Sequence, residues 1–138
     1  MDHLRVLVVD NSLVIRAMIE QIIGQDPGCR VVGQAPDVPA ARQMLADLLP
    51  NLVVLDLDMP GASGMDFLDE LRGHTHPPVV VVSSLTKEGA AAATAAIEGG
   101  AHACFDKARI VSHRDDFMRV LKEATRRQAK PVDLSQPA

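Results

Sequence analysis

Residues 51–60 read Asn-Leu-Val-Val-Leu-Asp-Leu-Asp-Met-Pro. The run Asn51–Leu55 is rich in Val and Leu and shows no polar alternation, which predicts a strand buried on both faces. It leads directly into Asp56 and Asp58, so two carboxylates lie at its carboxyl end. Leu4–Val9 (LRVLVV) and Val79–Val82 (VVVV) have the same character. Arg30–Ala35 and His102–Phe105 predict weaker strands, nearer the edges of the sheet.

Helical patterns separate these runs. In Leu13–Ile23 the apolar residues Leu13, Ile15, Met18, Ile19, Ile22 and Ile23 recur at helical spacing, and Gly24 followed by Pro27-Gly28 ends the segment. Further helices are expected over Pro39–Leu49, Met65–Leu71, Glu88–Ile97 and His113–Arg127, the last with Ser112 and Asp115 spaced as a capping box. Five strands alternating with five helices predict an α/β fold: one doubly wound (βα)5 domain with a five-stranded parallel sheet. The segment from Ala129 is polar with two prolines, so residues 129–138 are expected to form a flexible tail or the start of a linker, and 1–128 the domain.

Composition excludes several classes. Apolar residues make up 47% and charged residues 23% of the 138, a globular balance. Phe67, Phe105 and Phe117 are the only aromatics, so aliphatic side chains must fill the core. No apolar run approaches the roughly 18 residues of a membrane span, and Met1–Val9 has no signal-peptide pattern. A cytoplasmic protein without a membrane partner is expected. The net charge of −4 argues against a nucleic-acid partner. Cys29 and Cys104 match no metal-ligand spacing and are expected as structural thiols.

In an open parallel sheet, ligands bind beyond the carboxyl ends of the strands, where the strand order reverses. Four predicted strand ends carry complementary groups: Asp10-Asn11-Ser12, Asp56-Leu57-Asp58, Ser83-Ser84 and Asp106-Lys107. Singly, each is an ordinary turn, cap or surface residue. Together they form a set for phosphoryl transfer. Neighbouring carboxylates call for a hard divalent cation such as Mg2+, one carboxylate can act as nucleophile, and a hydroxyl and an ammonium can stabilise the transferring oxygens. No glycine lies in Asp10–Arg16, so the first-loop fingerprint of dinucleotide folds is absent.

The ordered motifs Val-Val-Asp-Asn-Ser (8–12), Leu-Asp-Leu-Asp-Met-Pro-Gly-x-x-Gly (55–64), Val-Val-Ser-Ser (81–84) and Asp-Lys (106–107) resemble those of the CheY-like receiver domains of two-component response regulators. The likeness covers about Leu4 to Arg127. Val-Ser-Ser-Leu-Thr at 82–86 is similar to the receiver half of chemotaxis methylesterases. The resemblance implies a flavodoxin-like strand order 2-1-3-4-5. It implies that Asp56 is the phosphoacceptor, and that Ser83 and Lys107 contact the phosphoryl group. Asp10, Asn11, Asp56 and Asp58 would hold Mg2+, Asp58 through its backbone carbonyl. It further implies a sensor histidine kinase or phosphotransfer protein upstream. A protein effector or self-association would lie downstream.

Three residues depart from the family pattern. Asn11 stands where a second acidic residue is usual and brings no charge, so metal affinity should fall, with the Asp58 side chain compensating in part. Ala108 follows Lys107 where a proline is usual; a cis bond to a non-proline residue costs roughly 3–4 kcal/mol, so this loop is expected to be trans. Cys104 replaces the usual Tyr or Phe, and Phe105 should point to the opposite face of its strand. These departures keep open a pseudo-receiver that binds partners without phosphorylation. A phosphatase of the haloacid-dehalogenase type, suggested by Asp56-Leu57-Asp58, is disfavoured because its motif belongs on the first strand.

Overall fold

The computed structural model describes residues 4–59, 64–84 and 86–129. The elements run β1 (Leu4–Val9), α1 (Leu13–Gly24), β2 (Cys29–Ala35), α2 (Val38–Leu48), β3 (Leu52–Asp56) and α3 (Gly64–Arg72). They continue with β4 (Val79–Ser83), α4 (Lys87–Glu98), β5 (Ala103–Asp106), a 3-10 turn (Lys107–Arg109) and α5 (Arg114–Ala129). The strands form one parallel sheet in the order β2-β1-β3-β4-β5, as the resemblance implied. The tail beyond Ala129 lies outside the described residues.

Alternation along the strands divides the apolar residues between two cores. Leu7, Val9, Val53, Leu55, Val79 and Val81 face a layer that includes Val38 and Ala41 of α2, Phe67 and Leu68 of α3, and Ala96 of α4. Val6, Val8, Leu52, Val54, Val80 and Val82 face Ile19, Ile22 and Ile23 of α1 and Phe117, Leu121 and Ala124 of α5. Because both faces are covered, the central strands read as Val and Leu apart from Arg5 and the polar residues at the ends of β3 and β4.

Local signals set the helix starts. Ser12 accepts the Ile15 N–H at the head of α1, Asp37 accepts the Ala40 N–H at α2, and Thr86 accepts the Gly89 N–H at α4. Two expectations are corrected. Leu49 is not the last residue of α2 but leaves it in a left-handed conformation (φ 49°) just before Pro50. The Ser112–Asp115 capping box does not form: α5 begins at Arg114, so Ser112 lies one residue too early, and its hydroxyl pairs with the His113 ring instead.

Phe117 is fully buried and meets Phe105 edge-on, with ring centroids 5.2 Å apart. With so few aromatics, this pair is a major part of the α1–α5 core. Truncating Phe117→Ala should cost about 3–5 kcal/mol of stability, read from urea unfolding. A loss below about 1 kcal/mol would mean that the layer repacks around the gap.

Candidate functional site

The parallel strands place their carboxyl ends along one edge, and the order reverses between β1 and β3. Asp10 leaves β1 there, and Asp56 is the last residue of β3. Both are buried, as is Ser83 at the end of β4. Lys107 follows β5 and reaches across to both carboxylates. The structure thus brings Asp10, Asp56 and Lys107 into contact, with Ser83 buried at the neighbouring strand end.

Asp56 is held from two sides. Its Oδ1 accepts the Asp58 N–H at 2.9 Å, and its Oδ2 accepts from Lys107 Nζ at 3.0 Å. Burial pushes its carboxyl above the usual carboxylate range, and the neighbouring Asp10 adds to the rise. Its hydrogen bonds to Asp58 and Lys107 oppose the rise without cancelling it. For Lys107, burial works against the charge, but the hydrogen bond and attraction to Asp56, together with Asp10, outweigh it and raise the ammonium's pKa. Two carboxylates therefore share one cation.

Asp10 is the less satisfied partner. Its Oδ1 accepts the Ser12 N–H at 2.8 Å. Its Oδ2 is buried without a hydrogen bond, 3.4 Å from Lys107 Nζ. A buried carboxylate oxygen in this state is costly unless a cation joins it. No three His, Cys, Asp or Glu side chains converge as a metal cluster among the described residues. The donor set is nevertheless suited to a hard cation: two buried carboxylates, one with an oxygen that accepts no hydrogen bond, and the exposed Asn11 next in sequence to Asp10.

The other predicted residues have distinct settings. The Ser83 hydroxyl donates to the Gly89 carbonyl at 3.2 Å, in the first turn of α4. Asp58 is exposed, and its Oδ2 accepts the Ser84 N–H at 3.0 Å across the gap between β3 and β4. Among the described residues there is no cis peptide, so Lys107–Ala108 is trans. The Ala108 N–H, which a proline would lack, donates to Asp106 Oδ1 at 3.0 Å and starts the 3-10 turn. Cys104 packs toward the α4 side of the sheet and Phe105 toward α5. Burial, with Asp106 and Asp58 nearby, pushes the Cys104 thiol up, which keeps it protonated.

Two residues support the site, Arg16 with little sequence signal of its role and Gly64 as the glycine that closes the motif at 55–64. Arg16 of α1 donates through Nη1 to the Asp10 carbonyl at 2.7 Å and so braces the loop after β1. In sequence it is one arginine in an amphipathic helix. Gly64 opens α3 against the acceptor strand: a Cβ there would sit 2.6 Å from the Asp56 carbonyl oxygen. Any side chain would push the helix off the strand end.

The response regulator receiver domain family matches residues 6–119. The chain belongs to this family. It is 40% identical over 136 residues to a protein-glutamate methylesterase/protein-glutamine glutaminase of Rhizobium etli, covering 97% of this chain and 38% of that protein. A protein of the same description from Anaeromyxobacter dehalogenans is 45% identical over 99 residues, covering 72% and 28% respectively. The receiver thus spans well under half the length of these relatives. Among solved structures, the response regulator domain of Thermotoga maritima CheB matches with TM-score 0.80 and 30% identity, over 89% of this chain and 96% of that one. The fold and the family of this receiver are therefore those that its motifs implied.

The raised pKa of Asp56 has a consequence for stability. The folded protein holds that proton more tightly than the unfolded chain, so unfolding releases it. The contribution of Asp56 is greatest at low pH and falls as pH rises from the usual value of 3.8 through the raised one. Asp56→Asn should therefore be more stable than the parent at pH 7, with the margin closing below about pH 4. Urea unfolding at the two pH values checks this; a margin that does not shrink at low pH contradicts it.

Proposed function

We propose that this receiver is a phosphorylation-controlled switch in which Asp56 accepts a phosphoryl group from a sensor histidine kinase or phosphotransfer protein. The observation that carries this reading is the fully buried Asp56 carboxylate, shared with Asp10 through the single ammonium of Lys107. A fold selected for stability alone would not keep two buried carboxylates around one cation, because hydrophobic side chains of the same volume cost less. A nucleophile at a strand end needs this kind of setting.

The Asp56 carboxylate would attack phosphorus while the bond to the donor nitrogen breaks, its electron pair returning to that nitrogen. Lys107 is placed to neutralise charge on the transferred oxygens. Asp10, Asp56, the Asn11 side-chain oxygen and the Asp58 main-chain carbonyl would hold Mg2+, which when bound supplies charge neutralisation for the phosphoryl oxygens. Asn11 adds no charge to that set, so affinity should be lower than with an acidic residue. Ser83 would exchange its bond to the Gly89 carbonyl for one to the phosphoryl group, and the region from α4 to α5 would change its surface. Given the relatives' description, we propose a methylesterase-like effector as the output, on the same chain or a partner. The setting would be cytoplasmic; no helix among the described residues is long and apolar enough to cross a membrane.

The test is intact-mass measurement after incubation with acetyl phosphate and Mg2+. One phosphoryl adduct is expected, dependent on Mg2+ and absent in Asp56→Asn. Asn11→Asp should reach the same adduct at lower Mg2+. If only Asn11→Asp is modified, the parent signals by binding without phosphorylation.

A further inference from the structure

We propose that Asp58 is a positioning residue whose carboxylate latches the start of the β4–α4 connection and so opposes the switching of Ser83. The latch stands on geometry alone; what it controls rests on the reading of Asp56 as phosphoacceptor.

Asp58 is tied at both ends. Its backbone N–H donates to Asp56 Oδ1 at 2.9 Å, and its carboxylate Oδ2 accepts the Ser84 N–H at 3.0 Å. One residue thus links the acceptor carboxylate to the residue next to Ser83. A hydrogen bond from a backbone amide to an ionised carboxylate is among the stronger ones in a protein. The sequence carries no sign of it, because Asp58 and Ser84 are 26 positions apart.

Ser84 is also confined from the helix side. Its hydroxyl lies 3.3 Å from the Thr86 hydroxyl, which in turn accepts the Gly89 N–H at 2.9 Å. A Cβ on Gly89 would sit 2.1 Å from the Ser84 carbonyl oxygen, so backbone meets backbone with no room for a side chain. The same glycine's carbonyl accepts the Ser83 hydroxyl. Ser83 and Ser84 therefore move as a unit with the first turn of α4. Turning Ser83 toward Asp56 requires this packing to shift, and the Asp58–Ser84 bond is the contact that resists from the β3 side.

Cys104 sharpens the role. On the neighbouring β5 this chain has a small half-buried thiol. Control of the Ser83 position then falls to the polar contacts around Ser84, and Asp58 supplies the charged one. The Asp58 carboxylate is engaged with Ser84 through Oδ2.

The experiment has two arms. The first measures hydrogen exchange at the Ser84 amide by NMR in unmodified protein without Mg2+ or phosphodonor. Asp58→Ala should accelerate that exchange about tenfold, the equivalent of losing one hydrogen bond to a charged group. Asp58→Asn keeps a carbonyl acceptor and should restore part of the protection. Because Asp58 is exposed, neither variant threatens the fold, and unchanged amide spectra elsewhere confirm this. Exchange at Ser84 that is unaffected in Asp58→Ala overturns the latch.

The second arm titrates beryllofluoride, a phosphoryl mimic, at saturating Mg2+ and follows the Ser83 resonance. Release of the latch should lower the midpoint about tenfold in Asp58→Ala; an unchanged or raised midpoint overturns the proposal. Failure of the parent to respond to beryllofluoride at all would count against Asp56 as phosphoacceptor, while the exchange arm still decides the latch.

Discussion

Two carboxylates and one ammonium, gathered at the carboxyl edge of a parallel sheet, constrain the rest of this structure. Asp10 and Asp56 are buried and mutually repulsive, and Lys107 lies within 3.4 and 3.0 Å of them. Such a cluster opposes folding unless the surrounding packing carries it. The two aliphatic layers on either side of the sheet do so, with valine and leucine covering both faces of β1, β3 and β4. A stable frame can then hold a reactive group in an environment that solvent would otherwise relax.

The frame acts through contacts that fix loops rather than strands. Arg16 braces the Asp10 carbonyl from α1. Gly64 allows α3 to start against the Asp56 carbonyl, and Gly89 allows α4 to start against Ser84. In both places a backbone approach closer than any Cβ permits keeps a helix at the end of a strand. The site is thus shaped by missing side chains as much as by present ones.

Departures from the usual receiver pattern gather at the edge of the sheet that carries Asp56 and leave the frame intact. Asn11 beside Asp10 brings no charge to that edge. Ala108 provides an N–H for Asp106, and the β5 end closes in a trans 3-10 turn. Cys104 faces α4 and Phe105 joins the opposite core, so the aromatic on β5 serves packing against Phe117 rather than the site.

The sequence by itself determined the architecture and which polar groups lie at the carboxyl edge of the sheet. Unalternated Val and Leu runs specify strands covered on both faces, and parallel connections bring their carboxyl ends to one edge, so Asp10, Asp56, Ser83 and Lys107 could be grouped before any coordinates. Helix edges were less legible: Leu49 and Ser112 satisfy local propensity, yet tertiary packing moved the ends by a residue or two. Only the tertiary structure decided which oxygen of Asp10 accepts no hydrogen bond, that Arg16 reaches its carbonyl, and that Asp58 binds Ser84. Those facts depend on side-chain directions across gaps between segments, and periodicity along one segment carries no information about them.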